Sequence, residues 1–428
     1  FDESNTAFQF VQSAEWIPSF GINYAVGVDG LSLVLILLAV LLTPIVVLAG
    51  WNESEGGRWS AKVFYILILV LETMMIGVFA ATDVFLFYVF FEAMLIPVYF
   101  LIGGYGSGER AAAAVKFLLF SLFGGLLMLA SIIGLYVISS KNGGATFDIT
   151  ELSEMHNYMS STTQNLLFLG FFIAFAIKAP VWPLHTWLPD AAASATPGTS
   201  VLLLGVLDKV GTFGMIRFCL SLFPDASKTF TPVIITLAVI SILYGAFLAI
   251  GARDIKRLIA YTSISHFGFI TMGIFAMTTQ GHSGAILYMF NHGFSTAALF
   301  IVAGWMIARR KSSTIADFGG LQKVPKKAIT LGIDSIMKSK KIVLIAWGEH
   351  KADSVALAVE GSVNSDIPAS YLQLHPNASF ILDETAASML TRIKTPWVVD
   401  SVIWDRSMIK KAVTHLSLSL QKPVLKLT

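Results

Sequence analysis

The sequence predicts an all-α polytopic membrane helix bundle of about nine transmembrane helices, followed by a partial α/β soluble segment. Three observations predict it. The mean hydropathy is +0.72 over 428 residues. Only 13% of residues are charged, against about 25% in an ordinary soluble domain. Charge is also unevenly placed: 34 Asp, Glu, Lys and Arg residues precede position 326 and 22 follow in a far shorter stretch, so charge density doubles. Length alone would accommodate two or three soluble domains; composition argues instead for a membrane chain with a distinct tail. The division expected is 1–28, an extracytoplasmic segment; 29–325, the membrane bundle; and 326–428, the α/β part.

Apolar runs of about 20 residues cross a bilayer core of about 30 Å. Nine occur, near 29–50, 62–81, 83–103, 111–138, 165–190, 198–221, 231–250, 256–277 and 283–308. In lipid every backbone polar group must be paired internally, so these are helices. The longest connection, 139–164, carries Asp148, Glu151 and Glu154. Loop cations orient the bundle. One side collects Arg58, Lys62, Arg110, Arg253, Lys256, Arg257, Arg309, Arg310 and Lys311, the other only Lys141 and Lys228. The basic side is expected to be cytoplasmic, which puts Phe1 outside. That opening Phe, without Met or a signal peptide, implies lost upstream sequence. The net charge of +2 says little beside this placement.

After Pro325 the periodicity changes. IVLIAW (342–347) and SFIL (379–382) read as short buried strands, and 326–338, 351–361, 384–393 and 406–420 as helices. Strands alternating with helices indicate part of an α/β domain.

Charges at bilayer depth cost at least about 2.5–3.5 kcal/mol each, and so tend to be functional. Glu92 lies mid-span in FYVFFEAMLIP, Lys178 just before Pro180 and Pro183, Lys209 beside Asp208, His266 in YTSISHFGF and His292 in YMFNHGFSTAALF. Each could instead be a static structural contact, a reading as strong as the functional one for a lone histidine but the weaker one for Glu92 and Lys178 together. Lys116, near a span end, reads as snorkelling. Glu72 is deep and unexplained, and Arg217 fits either a structural or a functional reading. Burial favours an uncharged lysine and a neighbouring carboxylate the charged one, so moving or neutralising the carboxylate releases a proton. Histidine titrates near neutrality and passes the proton on. Lys, His and Lys with water between them form a proton wire with a switch at one end. Pro180 and Pro183 interrupt the helix that carries Lys178, and broken helices at mid-membrane are a device for ion sites.

Other chemistries are poorly supported. The membrane part has no P-loop, dinucleotide glycine pattern or His-rich metal spacing. His185 and Asp190 in HTWLPD are weak as a metal pair, and GGYGSG (103–108) reads as a turn. Cys219 is the only cysteine, so neither an intrachain disulfide nor a cysteine metal site exists.

Residues 16–325 resemble the proton-pumping membrane subunit M of bacterial NADH-quinone oxidoreductase, respiratory complex I, whose mitochondrial counterpart is chain 4. The motifs are VGVDGLSLVL, FYVFFEAMLIPVYFLIG, KAPVWPLHTWLPDAAASATPGTSVLLLGVLDKVGTFGMIRF, RDIKRLIAYTSISHFGF and FNHGFSTAALFIVAG. The resemblance implies an antiporter-like bundle with discontinuous helices. It also implies an acid–base pair of Glu92 and Lys178, a central lysine at Lys209 and central histidines at His266 and His292. No cofactor is implied in this chain; NAD, FMN, iron–sulfur clusters and quinone belong to partner subunits. Partners implied are other complex I membrane subunits, including antiporter-like ones, within the lipid bilayer of the bacterial inner (plasma) membrane; no nucleic acid is expected. A related reading is a cation/proton antiporter subunit without redox coupling. The family has about fourteen helices, and its distal helices have no match here.

From about 326 the chain instead resembles the C-terminal part of the glucosamine-6-phosphate deaminases, through KKAITLGIDSIMKSKKIVLIAWGEHKA, VEGSVNSDIPASYLQLHPNASFILDE and TRIKTPWVVDS. That segment is expected to be cytoplasmic. Only Lys351 matches a sugar-phosphate contact, and His375 reads as structural. The two halves share no physical logic, which reads as a chimera or a joining artefact. A membrane-anchored deaminase is disfavoured because the enzyme's catalytic half has no counterpart.

Overall fold

The first turn of a helix leaves backbone N–H groups without partners, and the sequence supplies side-chain acceptors where the spans begin. Asp29 accepts from Ser32 N–H, Asp83 from Phe85 and Leu86, Ser160 from Thr163, Thr196 from Thr199, Asp254 from Arg257 and Thr278 from Gly281. The computed structural model describes residues 1–2, 4–5, 7–142, 144–318, 337 and 339–424. It forms two units, Phe1–Phe318 and Gly319–Thr428.

In the first unit the membrane helices are α1 (Gly30–Ala49), α2 (Ala61–Ala80), α3 (Val84–Ala93), α4 (Leu95–Tyr105), α5 (Arg110–Lys141) and, after the short α6 (Ile149–Glu154), α7 (Ser161–Lys178). They continue as α8 (Trp187–Ser194), α9 (Pro197–Leu202), α10 (Lys209–Gly214), α11 (Pro224–Ile250), α12 (Ile255–Phe275) and α13 (Thr279–Arg310). Among the described residues nine helical stretches are long and apolar enough to cross a membrane, taking α3–α4 and α9–α10 as one each. The chain is therefore a polytopic membrane bundle.

One predicted span needs correction. The run near 165–190 is not one helix: α7 begins at Ser161, ends at Lys178, and resumes as α8 only at Trp187. Pro180 and Pro183 lack the N–H groups a continuous helix needs. The run near 83–103 is one span, Val84–Tyr105, as predicted, with a turn at Met94 between α3 and α4; Pro97, one turn on, leaves the Ala93 carbonyl without its helical donor. GGYGSG is only half a turn, since α4 runs through Tyr105. Residues 1–28 depart from the all-α expectation. Strands β1 (Gln9–Ile17) and β2 (Ile22–Val28) form an antiparallel hairpin. Gly21 closes its turn at φ +68°, a conformation glycine adopts without penalty.

Aromatic rings fill the centre of the bundle. Phe87, Phe91, Phe171, Phe175, Phe213 and Phe218 interlock, with Phe87 and Phe218 centroids 4.4 Å apart. Leu48, Leu119, Phe123, Phe247 and Ile250 are exposed on the outside, as helices in lipid require.

In the second unit β3 (Ile342–Ala346) pairs in parallel with β4 (Ala378–Leu382), from Ile342↔Ala378 to Ala346↔Leu382. Helix Ala352–Val359 lies between them in sequence, the crossover that parallel pairing demands. Helix Arg406–Leu420 forms as predicted. The helix expected over 384–393 does not: Asp383 accepts from Gly348 N–H, Ala386 N–H and the Thr385 hydroxyl. That turn competes with helix, and only Thr391–Lys394 is helical. The helix expected over 326–338 lies, but for residue 337, outside the described residues.

Candidate functional site

Lys209 stands where its helix is locally unwound. Wider π-helical turns occupy Leu203–Leu207 and Met215–Leu220 on either side of α10, and Asp208 N–H reaches back five residues to Leu203 O at 3.2 Å. Such bulges recur at functional sites. Lys209 and Asp208 are both fully buried, with Nζ to Oδ1 at 3.0 Å. The ammonium also donates to the Leu204 carbonyl and lies 2.7 Å from His292 Nδ1. It sits 5.2 Å from the Phe267 ring centroid. All three protons of Nζ thus have protein acceptors. The His292 Nε2 edge meets Thr296 Oγ1 at 3.3 Å, which fits a ring that accepts at Nδ1 and donates at Nε2. His266 stacks edge-on against His292 with centroids 5.3 Å apart.

Glu92 lies in the last turn of α3, two residues before Met94, and Lys178 closes α7. Each is the charged group acting electrostatically on the other. Glu92 Oε1 and Lys178 Nζ are buried without a hydrogen-bond partner among the described residues. Lys178 Nζ faces the Phe91 and Phe117 rings at 5.0 and 5.3 Å. Gly125 makes room for Glu92: a Cβ there would collide with Oε1. Glycine at 211 lets α10 approach α7 so closely that a Cβ would meet Ala179 N and Phe175 O. The Lys178 and Lys209 helices therefore touch next to both lysines. Five predicted residues form two neighbouring groups: Glu92 with Lys178, and Lys209 with His292 and His266. Lys351 lies in the other unit, exposed, in the turn Glu349–Lys351.

Asp208 is the residue that sequence reasoning left unassigned. Adjacent helical positions do not face each other, and nothing in the sequence announces the π turns that let this pair meet. Other charges also find partners. Lys116 does not snorkel but binds Asp190 at 2.7 Å, and Asp190 also binds Arg257 at 2.8 Å. Arg217 pairs with Asp29 at 2.7 Å, at the start of α1. Burial works against ionised Asp29, but Arg217 and Ser32 N–H hold its carboxyl below the ordinary range. Lys256, counted among the loop cations, is buried and donates to Ala195 O at 3.0 Å. Glu72 is half-buried beside the Thr43 hydroxyl. His185 packs on the Tyr244 ring, and among the described residues no three His, Cys, Asp or Glu converge as metal ligands.

Comparison with known proteins places this arrangement. Residues 81–336 match the family model of the NADH:quinone oxidoreductase/Mrp antiporter transmembrane region, and residues 5–78 the amino terminus of NADH-ubiquinone oxidoreductase chain 4. NADH-quinone oxidoreductase subunit M of Mycobacterium tuberculosis is 53% identical over 355 residues, covering 76% of this chain and 64% of that protein. The chain thus spans less than two thirds of the length of the curated relatives it matches. A chain of respiratory complex I from Thermus thermophilus, solved with bound NADH, superposes with a TM-score of 0.66 at 30% identity, over 91% of this chain and 73% of that one. A chain of the Mrp complex from Dietzia sp. shares the fold, with a TM-score of 0.63 at 23% identity over 72% and 33% of the two chains. The chain belongs to the NADH:quinone oxidoreductase/Mrp antiporter transmembrane family.

Proposed function

We propose that the membrane unit is a proton-translocating subunit of an NADH:quinone oxidoreductase, moving protons in response to redox chemistry carried out elsewhere. The observation that carries this reading is Lys209, fully buried yet bonded at once to a carboxylate and an imidazole. The Nζ–H···Nδ1 contact is a ready path for a proton to His292, with His266 next in line. Asp208 stabilises the ammonium before transfer. Glu92 and Lys178, unbonded and one helix away, act as the switch: when their charges separate or cancel, the field at Lys209 changes. NAD, FMN, iron–sulfur clusters and quinone belong, on this reading, to partner subunits, and other membrane subunits adjoin the bundle. The setting is the bacterial plasma membrane with the basic loops cytoplasmic.

The test is Lys209→Met in a complete homologous subunit within its assembled complex. Protons pumped per NADH oxidised should fall; unchanged pumping and turnover would overturn the reading. A second reading, an antiporter subunit without redox coupling, is favoured by the likeness to the Mrp complex. Co-purification separates the two: flavin and iron–sulfur partners support the first, their absence the second.

For residues 326–428 we propose a partial α/β fragment of the glucosamine-6-phosphate deaminase type, on the cytoplasmic side. The parallel β3–β4 pair with its helical crossover supports this. Lys351, ahead of helix Ala352–Val359, is its candidate phosphate contact. The full chain should not turn over glucosamine 6-phosphate; turnover would revive the enzyme reading.

A further inference from the structure

The chain between the two buried lysines runs through α8, the connector 195–196 and the first turn of α9, and polar links hold this stretch at both ends. Asp190 on α8 binds Lys116 of α5 and Arg257 of α12. Ser194 O accepts from Ser107 N–H at 2.7 Å, and Lys256 Nζ donates to Ala195 O at 3.0 Å. Gly198 N–H donates to both carboxylate oxygens of Glu53 at 2.9 Å. The Thr196 hydroxyl also bonds Glu53, and Lys256 adds its charge. Beside these links lies a cavity of about 550 Å³, bordered by Glu53, Lys256, Trp51, Tyr105, Pro197 and Trp305. Close packing leaves a core element no freedom to shift. A cavity removes that constraint on one side, so the polar links decide where this stretch sits.

We infer that Glu53 and Lys256 are positioning residues that fasten the α8–α9 connector and thereby set the placement of Lys209 relative to Lys178. Neither touches the buried lysines. Glu53 lies in the loop after α1 and Lys256 at the start of α12, so the two grip the connector from separate elements. This inference rests on the proton-translocating reading for its consequence, but not for its geometry.

The experiment uses the full chain in lipid nanodiscs for backbone amide exchange, and in proteoliposomes for proton flux driven by a pH gradient. Glu53→Ala should speed exchange at residues 196–200 about tenfold or more, as loss of a hydrogen bond to a charged acceptor implies, and lower proton flux. Glu53→Gln should restore both in large part, since its amide oxygen still accepts from Gly198. Lys256→Met should speed exchange around Ala195 and carries the test if Glu53→Ala fails to fold. Unchanged exchange in these variants overturns the inference, as does faster exchange with unaltered flux. If the parent chain passes no protons on its own, exchange alone judges the fastening, and the proton-translocating reading is judged by Lys209→Met in the complete homologous complex.

Discussion

Asp208→Leu removes the carboxylate from a fully buried ion pair and keeps the branched side-chain skeleton. At 3.0 Å and an effective dielectric of about 20, the Coulomb attraction is roughly 5–6 kcal/mol. The observed loss should be smaller, about 3–5 kcal/mol, the usual cost of leaving one buried charge unpaired. The Leu204 carbonyl and His292 Nδ1 still accept from Lys209, which holds the loss near the lower end. Lys209→Met alone strands the carboxylate, whose Oδ2 already has no partner among the described residues, and should cost a similar amount. The double variant Asp208→Leu/Lys209→Met replaces a buried ion pair with apolar volume, which is often neutral or stabilising. It should therefore recover to within about 1 kcal/mol of the parent. The assay is reversible denaturant unfolding of the full chain in detergent, followed by a probe on α10. A single-variant loss below about 1 kcal/mol, or a coupling energy near zero in the double-mutant cycle, would refute the ion-pair account.

Other outcomes follow from neighbouring geometry. Gly211→Ala drives a methyl into the α7 backbone and should lower unfolding stability by about 1–3 kcal/mol, the cost of overpacking. Gly125→Ala should displace the Glu92 carboxylate, and proton flux should fall, as the account also predicts for a change of Glu92 itself. Lys116→Met should cost under about 1 kcal/mol despite its short ion pair, because both side chains are about one-third exposed. Asp29 ionises more readily in the fold than in the unfolded chain, so its stabilisation is complete above the ordinary aspartate range. It is lost as pH falls through the depressed value. Acid titration of thermal stability should show that loss in the parent and not in Asp29→Asn.

Much of the bundle was legible because lipid imposes a simple rule: an apolar run of spanning length must be helical. Glu92, Lys178, Lys209, His266 and His292 stood out for the same reason, each being costly where it lies. What the sequence did not display was local. The break at Lys178 followed from its prolines, but where the helix resumed did not. The turn at Met94 was signalled only by Pro97. The π turns around Lys209 have no composition of their own, so the Asp208 contact stayed hidden. Glu53 went unremarked and Asp190 was weighed only as a weak metal partner of His185, because their partners Gly198, Lys116 and Arg257 are distant in sequence. The N-terminal hairpin was missed because residues 9–28 mix exposed apolar and polar side chains without clean alternation.

The most direct measurement is the number of protons translocated per NADH oxidised by a complete homologous complex carrying Glu92→Gln, which keeps the shape and removes the charge. The account predicts a marked fall in pumping together with coupled turnover. Wild-type pumping at wild-type turnover would contradict the proposed switch between Glu92 and Lys178.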